Sequence, residues 1–121
     1  MTKLSNKLEI NISPISINKV FQGRRFKTLE YTQWRKDFSW IVKKVHHKCT
    51  GLKIDFYIKN FAMSDVDNMV KPFLDALVEN KIIDDDRYIK KLILEKFKVD
   101  KKEDEKIVVR FINSVDEILN I

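Results

Sequence analysis

Apolar and polar positions alternate over residues 6–12, with Leu8, Ile10 and Ile12 on one face, which predicts a strand ended by Ser13-Pro14. Residues 14–28 carry no clear period and read as a loop. From Leu29 the spacing lengthens: Leu29, Trp34, Phe38, Ile41, Val42 and Val45 recur at three- and four-residue steps and predict a helix over roughly 29–47, capped by Thr28 or Thr32. Gly51 reads as its terminator. Residues 52–59 alternate again, with Leu52, Ile54, Phe56 and Ile58 against Lys53, Asp55, Tyr57 and Lys59. Met69, Val70, Phe73, Leu74, Ala76 and Leu77 fit one face of a second helix that exits at Asn80-Lys81. Pro72 lacks an N–H, so either the regular helix starts near Lys71 or its first turn is distorted.

Residues 88–99 read as a long strand. Ile89, Lys91, Ile93, Glu95, Phe97 and Val99 share one face, and Leu92 and Leu94 point the other way. Its middle is therefore either buried on both faces or paired across a dimer. Residues 101–106 form a mixed-charge turn, and 107–112 form a last strand that completes a hairpin with it. The tail, 114–121, is a short helix capped by Ser114 or a frayed end. The order β-α-β-α-β-β-(α) predicts an α+β fold: one domain over 1–121, a mixed β-sheet, and both main helices available to cover one face.

Composition narrows the class. A chain of 121 residues with 44% hydrophobic positions can build one modest core. Two glycines and two prolines argue against long linkers. No apolar run is long enough to span a bilayer, and the polar start lacks the apolar centre of a signal peptide. A single cysteine, Cys49, cannot form an internal disulfide, which fits a reducing cytoplasm. One cysteine and two adjacent histidines do not make a zinc site. The net charge is +6. Set aside five clustered aspartates, and 24 cations face 13 acids, or +11. That balance favours a polyanionic partner. Nineteen lysines against five arginines suggest contact with a backbone more than reading of base edges.

The five aspartates are the notable exception in a basic chain. Asp65 and Asp67 open the segment 64–88, and Asp84, Asp85 and Asp86 close it. If Asp65-Val66-Asp67 is extended, both carboxylates point the same way and Val66 faces the core. Paired carboxylates with a third from elsewhere suit magnesium, which takes oxygen ligands, keeps waters and bridges to phosphate. Lys71, one helical turn beyond Asp67, can reach the same phosphate and answer the charge on its oxygens. Plainer readings stand beside this. Asp67 and Asn68 are good helix caps, an aspartate triplet is commonly a solvated turn, and Lys71 can pair with Asp75. A calcium EF-hand fails, because it needs an oxygen ligand, a glycine and a distal glutamate where this chain has Met69, Val70 and Ala76.

The run D-V-D-N-M-V-K-P-F-L-D-A-L, followed by I-I-D-D-D-R-Y, resembles the signature of the RusA family of Holliday junction resolvases. The strong match covers about 25 residues, and the order of elements around it agrees. The resemblance implies a small homodimeric endonuclease that cuts four-way DNA junctions with magnesium, or manganese in its place, with no small-molecule cofactor. By position it implies that Asp65, Asp67 and Asp86 are metal carboxylates, with Asp85 beside them, and that Lys71 is the essential lysine. The functional pair in the triplet is Asp84-Asp85 or Asp85-Asp86, and the spacing from Asp65 favours the second. Lys81 stands where a turn glycine is common in the family.

The loop 14–28 carries Asn18, Lys19, Arg24, Arg25 and Lys27. Family members have a comparable Pro/Asn loop followed by basic residues, which implies DNA contact. Cations interleaved with Phe21 and Phe26 can grip phosphates and wedge into an open junction; the phenylalanines can equally anchor the loop to the core. Trp34 and Trp40 read as core or dimer interface, Arg35, Lys36, Lys43 and Lys44 as a basic helix face, and His46 and His47 as favourable neighbours of a helix C-terminus. The sequence thus points to a magnesium-dependent, structure-selective DNA endonuclease, in a setting such as phage or prophage recombination and repair. The rivals are a basic DNA-binding module that does not cut, a metal-dependent nuclease for other branched DNA, and an interaction protein whose acids are only caps and turns.

Overall fold

The computed structural model describes residues 6–22 and 26–113, with backbone alone at 21, 22 and 26. In chain order it contains β1 (Lys7–Ile10), the short pair β2 (Phe21–Gln22) and β3 (Phe26–Lys27), α1 (Leu29–Ile41), β4 (Gly51–Ile58), α2 (Val66–Glu79), β5 (Lys91–Lys98) and β6 (Lys106–Ile112). Short 3-10 turns occur at Ile17–Lys19, Phe61–Met63, Asp86–Tyr88 and Lys102–Asp104. The four long strands form one mixed sheet in the order β1-β6-β4-β5. The α+β class with two main helices is as the sequence predicts. The tail beyond Asn113 lies outside the described residues.

Burial explains the strand order. β4 has six of its eight residues buried and takes an inner position. β5 has no buried residue and takes an edge. β4 and β5 run parallel, which requires a crossover, and α2 supplies it. β6 lies on the other side of β4, antiparallel to both β4 and β1. The expected β5–β6 hairpin is therefore absent: the two strands flank β4 and do not pair. Lysines 91, 96 and 98 mark β5 as an edge protected by charge.

One face of the sheet carries the core. Leu52, Ile54 and Phe56 stand opposite Phe111, Val109 and Ile107, with Leu8 and Ile10 continuing the layer through β1. α2 buries Met69, Pro72, Phe73, Leu74, Ala76 and Leu77 in this layer. Phe73 meets Phe56 edge-on at 6.2 Å and Phe38 of α1 edge-on at 5.9 Å, so one ring joins sheet and both helices. On the opposite face Tyr57 stacks on Phe97 at 4.9 Å, and Lys53 pairs with the buried Asp55 and with Glu95. Leu92 and Leu94 point to the helix side, where Leu94 packs against the core and Leu92 stays partly exposed.

α1 is shorter than expected. Thr28 is its cap, accepting from the Tyr31 N–H at 3.0 Å, but the helix stops at Ile41. Tertiary contacts redirect the chain: Val42 is buried, the His47 N–H donates to the Ile82 carbonyl at 2.7 Å, and the His47 ring lies flat on Phe111 at 3.9 Å. The histidines therefore do not sit at a helix terminus; His46 bonds to Asp84 at 2.9 Å from an irregular segment. Gly51 opens β4 and does not close the helix. A side chain there would meet the Lys91 carbonyl at 3.3 Å. Trp34 is buried as expected, whereas Trp40 is 89% exposed.

α2 begins at Val66 and runs through Pro72. Asp65 is its cap residue, so the expected extended Asp65-Val66-Asp67 does not occur. Its first turn is tightened by a bond from the Asn68 N–H to the Asp65 carbonyl at 3.1 Å. The helix ends in a Schellman arrangement, in which the Ile82 N–H donates to the Leu77 carbonyl at 2.9 Å and the Lys81 N–H to the Val78 carbonyl at 3.0 Å. Ile82 and Leu77 are both fully buried. Lys81 holds the left-handed position at φ 58°, where a Cβ is strained and glycine is not. Lys81→Gly is expected to stabilise the fold by about 0.5–1 kcal/mol in urea unfolding. A lower midpoint would show that the lysine side chain contributes more than its backbone costs.

Candidate metal and nucleic-acid site

α2 displays its charges by helical spacing. Asp67, Lys71 and Asp75 are exposed and lie four residues apart on one stripe. Asp67 and Lys71 are separated by roughly 6 Å of helix rise. Lys71 Nζ bonds to Asp75 at 3.0 Å and to Asp86 Oδ2 at 3.2 Å. Asp86 arrives from a turn fifteen residues later in the chain. That turn is fixed beside α2 because Ile82 and Ile83 are buried immediately before it. Bonds to Asp75 and then Asp86 outweigh burial and raise the Lys71 pKa, keeping a cation among carboxylates.

The three triplet aspartates face different partners. Asp84 bonds to His46. Asp85 caps the 3-10 turn, accepting from the Arg87 N–H at 3.1 Å; this bond, followed by one from Asp86, lowers its pKa. Asp86 alone reaches Lys71. Asp65 stands just before the first turn of α2 as its cap residue, with extended backbone at φ −84° and ψ 129°. It accepts from Asn68 Nδ2 at 3.4 Å. Among the described residues, no three His, Cys, Asp or Glu side chains are grouped closely enough to hold a metal on their own.

Asp65 belongs to a groove of about 730 Å³ that Asn18, Lys19, Trp34 and Asn68 also line. The 3-10 turn 17–19 packs on α2 and places the loop there. Ser16 caps that turn, accepting from the Asn18 N–H at 3.1 Å. Trp34 Nε1 donates to the Ser13 carbonyl at 2.7 Å, and the Thr28 hydroxyl donates to the Lys19 carbonyl, so α1 holds the loop at both ends. Lys27 lies over the Tyr31 ring at 5.5 Å. Burial pushes the Tyr31 hydroxyl pKa up, and the same hydroxyl is in electrostatic reach of Arg35, Asp75, Glu79 and Lys71. Tyr31 thus connects the loop to the charged stripe. Arg24, Arg25 and the side chains of Phe21 and Phe26 lie outside the described residues.

Other expected features take defined places. Arg35 pairs with Glu79 and is not a free cation on a basic face. Cys49 is buried and its pKa is pushed up to about 11, so it stays an unreactive thiol at neutral pH. The sequence reading missed Lys96. From β5 it donates to the Phe61 carbonyl at 2.6 Å and the Ser64 carbonyl at 2.9 Å, and it lies over the Phe61 ring at 4.2 Å. It fastens the turn that delivers Asp65. The signal was present as a lysine continuing the inward face of Leu92 and Leu94. Asn68, read from the sequence as a helix cap, instead bonds Asp65 through its side chain.

A family model described as Endodeoxyribonuclease RusA matches residues 16–111 of the 121. The chain belongs to the RusA family. It is therefore a hydrolytic endodeoxyribonuclease of the class that acts on Holliday junctions. The RusA match spans most of the loop, α1, the whole carboxylate segment and β6 up to Phe111, so every candidate site residue falls within it. No curated protein matches the chain. Among the described residues, no helix is long and apolar enough to cross a membrane.

Lys96→Met keeps the length and apolar stem but removes both carbonyl bonds. It is expected to cost about 1 kcal/mol of stability and to lower junction cleavage ten- to hundredfold by loosening the approach to Asp65. Cleavage at the parental rate in a variant shown to be folded would remove Lys96 from the positioning of the site.

Proposed function

We propose that this chain is a magnesium-dependent, homodimeric Holliday junction resolvase that makes paired cuts in recombination and repair. The observation that carries this reading is the contact of Lys71 with Asp86, because it joins the two halves of the carboxylate segment at one place. Asp65, Asp67 and Asp86 are the metal carboxylates, with Asp85 beside them. Their oxygens suit a hard cation, and magnesium commonly uses only one or two protein carboxylates with water and substrate phosphate completing its shell. When bound, it supplies Lewis-acid polarisation of the phosphoryl oxygen and a water of lowered pKa.

The chain's own groups do the rest. Lys71 has three N–H donors; two are used on Asp75 and Asp86, and the third is available to a phosphate oxygen. Its charge answers the charge that develops on the phosphoryl group. Asn18 and Lys19 meet the strand along the groove that reaches Asp65. Lys27, held on Tyr31, and Arg24 and Arg25 grip the adjoining backbone. The lysine-rich surface draws in DNA through release of counterions. A two-fold dimer matches two symmetry-related cuts. A cytoplasmic setting agrees with the free thiol.

The decisive test is cleavage of a labelled four-way junction and a matching linear duplex, in magnesium or EDTA, with binding measured alongside. Paired nicks on the junction alone, absent in EDTA, are expected from the parent. Asp67→Asn is expected to bind but cut at least a hundredfold more slowly, and Lys71→Met to lose a similar factor. Tight binding without cutting under any divalent metal would leave a DNA-binding module. Equal cutting of flaps or mismatches would assign a different branched substrate, and unchanged cutting by Asp67→Asn would leave that aspartate only as an acidic residue of the first turn of α2.

A further inference from the structure

α1 forms one wall of the groove that reaches Asp65, through Glu30, Gln33, Trp34 and Asp37. Glu30, Gln33 and Asp37 fall at steps of three and four residues, so they share one stripe of the helix. The next step along that stripe is Trp40, in the last turn. Its side chain is 89% exposed, and Ile41 beside it is half-exposed. Trp34 is the opposite case: it is buried, and its Nε1 donates to the Ser13 carbonyl. The fold thus uses one tryptophan in its core and leaves the other in solvent, where a large apolar ring does nothing for stability.

Cations surround the exposed ring. Lys36 is exposed one helical turn before it. Lys44 donates to Ser39 Oγ at 3.1 Å, which brings its ammonium to the residue next to Trp40. Lys43 is exposed in the segment that leaves the helix. Among the described residues no acid pairs with Lys36 or Lys43. Asp37, one step back on the stripe, lies on the groove wall and accepts from Gln33 Nε2 at 2.9 Å. A neutral apolar partner would bury these ammonium groups without counter-charge, and a second copy docked ring to ring would set lysine against lysine. A strand of nucleic acid brings both the flat rings and the negative charge that the patch lacks. On the nuclease reading above, we propose that Trp40 is a stacking platform at the end of the groove. A base left unpaired at the DNA branch lies on the indole, and Lys36, Lys43 and Lys44 hold the phosphates beside it. Stacking accepts any base, because every base has a π face. It separates open branched DNA from an intact duplex, whose bases already lie on one another. Trp40 thus reads the structure of the DNA and takes no part in the chemistry at Lys71 and Asp86.

The two tryptophans give separable signals, because only Trp40 is open to solvent. Intrinsic fluorescence and binding are followed in EDTA as a four-way junction or a matching duplex is added, for the parent, Trp40→Phe and Trp40→Ala, with cleavage in magnesium measured alongside. The parent is expected to lose fluorescence with the junction, as an indole does when a base stacks on it. Trp40→Phe is expected to lose that quenching but to keep most of the affinity, since a ring remains. Trp40→Ala is expected to bind the junction about tenfold more weakly, with little change on the duplex. The side chain is exposed, so both variants are expected to keep the parental urea midpoint. Lys36→Gln is expected to reduce the salt slope of junction binding by about one. Parental junction affinity in Trp40→Ala, or a parent whose fluorescence does not change at saturating junction, would overturn the platform while junction cleavage by the parent still supports the nuclease. A fluorescence change that follows protein concentration without DNA would overturn it in favour of a contact between copies. Quenching lost in Trp40→Phe and binding weakened in Trp40→Ala, from a parent that cuts nothing in magnesium, would support the platform and overturn the nuclease reading.

Discussion

The structure depends on one aromatic ring held between three elements. Phe73 contacts Phe56 on the sheet and Phe38 on α1, and it sits two residues beyond Lys71 on α2. With the buried face of α2 locked by that ring, the opposite face must point outward, and this is the face that carries Asp67, Lys71 and Asp75. Site and core are two sides of one helix. The same register explains why α2 tolerates Pro72. Loss of the N–H that would bond the Asn68 carbonyl is set against nearly complete burial of the proline beside Phe73 and Leu74.

The site solves an electrostatic problem that follows from composition. A chain of net charge +6 must keep its acidic residues from simple neutralisation by its many lysines if they are to stay open to a partner. The fold admits one cation, Lys71, to direct contact with the stripe carboxylate Asp75 and with Asp86. His46 draws off Asp84, and Arg87 engages Asp85 through its N–H and its guanidinium. Arg35, which the sequence placed on an open basic face, is taken by Glu79. The acids are thus sorted by neighbour, and the triplet does three separate tasks.

Much of this was legible in the sequence because the periods were clean. Leu52, Ile54, Phe56 and Ile58 alternate, and the apolar face of α2 recurs at helical steps, so both elements and the α+β class could be read directly. Lys71 and Asp86 were also readable, through spacing and family signature together. What failed depended on distant contacts. The early end of α1 is imposed by Phe111 and Ile82, far along the chain from His47. The separation of β5 from β6 follows from the burial of β4, which alternation alone does not rank. An extended Asp65-Val66-Asp67 was one reading and a helix cap at Asp67 or Asn68 another, and Pro72 left the start of α2 between its first turn and Lys71. The helix starts at Val66 with Asp65 as its cap, and burial of the proline overrode its local preference.

The strand order has a consequence for how the molecule comes into being. β6 is the last long strand to be synthesised, yet it lies between β1 and β4, the first and second long strands. Until residue 112 is free of the ribosome, β1 has no partner and β4 has one unsatisfied edge. The sheet closes by insertion of a late strand between two early ones, a non-local step that carries a large loop-closure cost. Residues 64–88 emerge well before that step, but the platform under Phe73 is incomplete without Ile107 and Val109. A nascent chain therefore carries the acidic segment without the frame that orients it until β6 has joined the sheet.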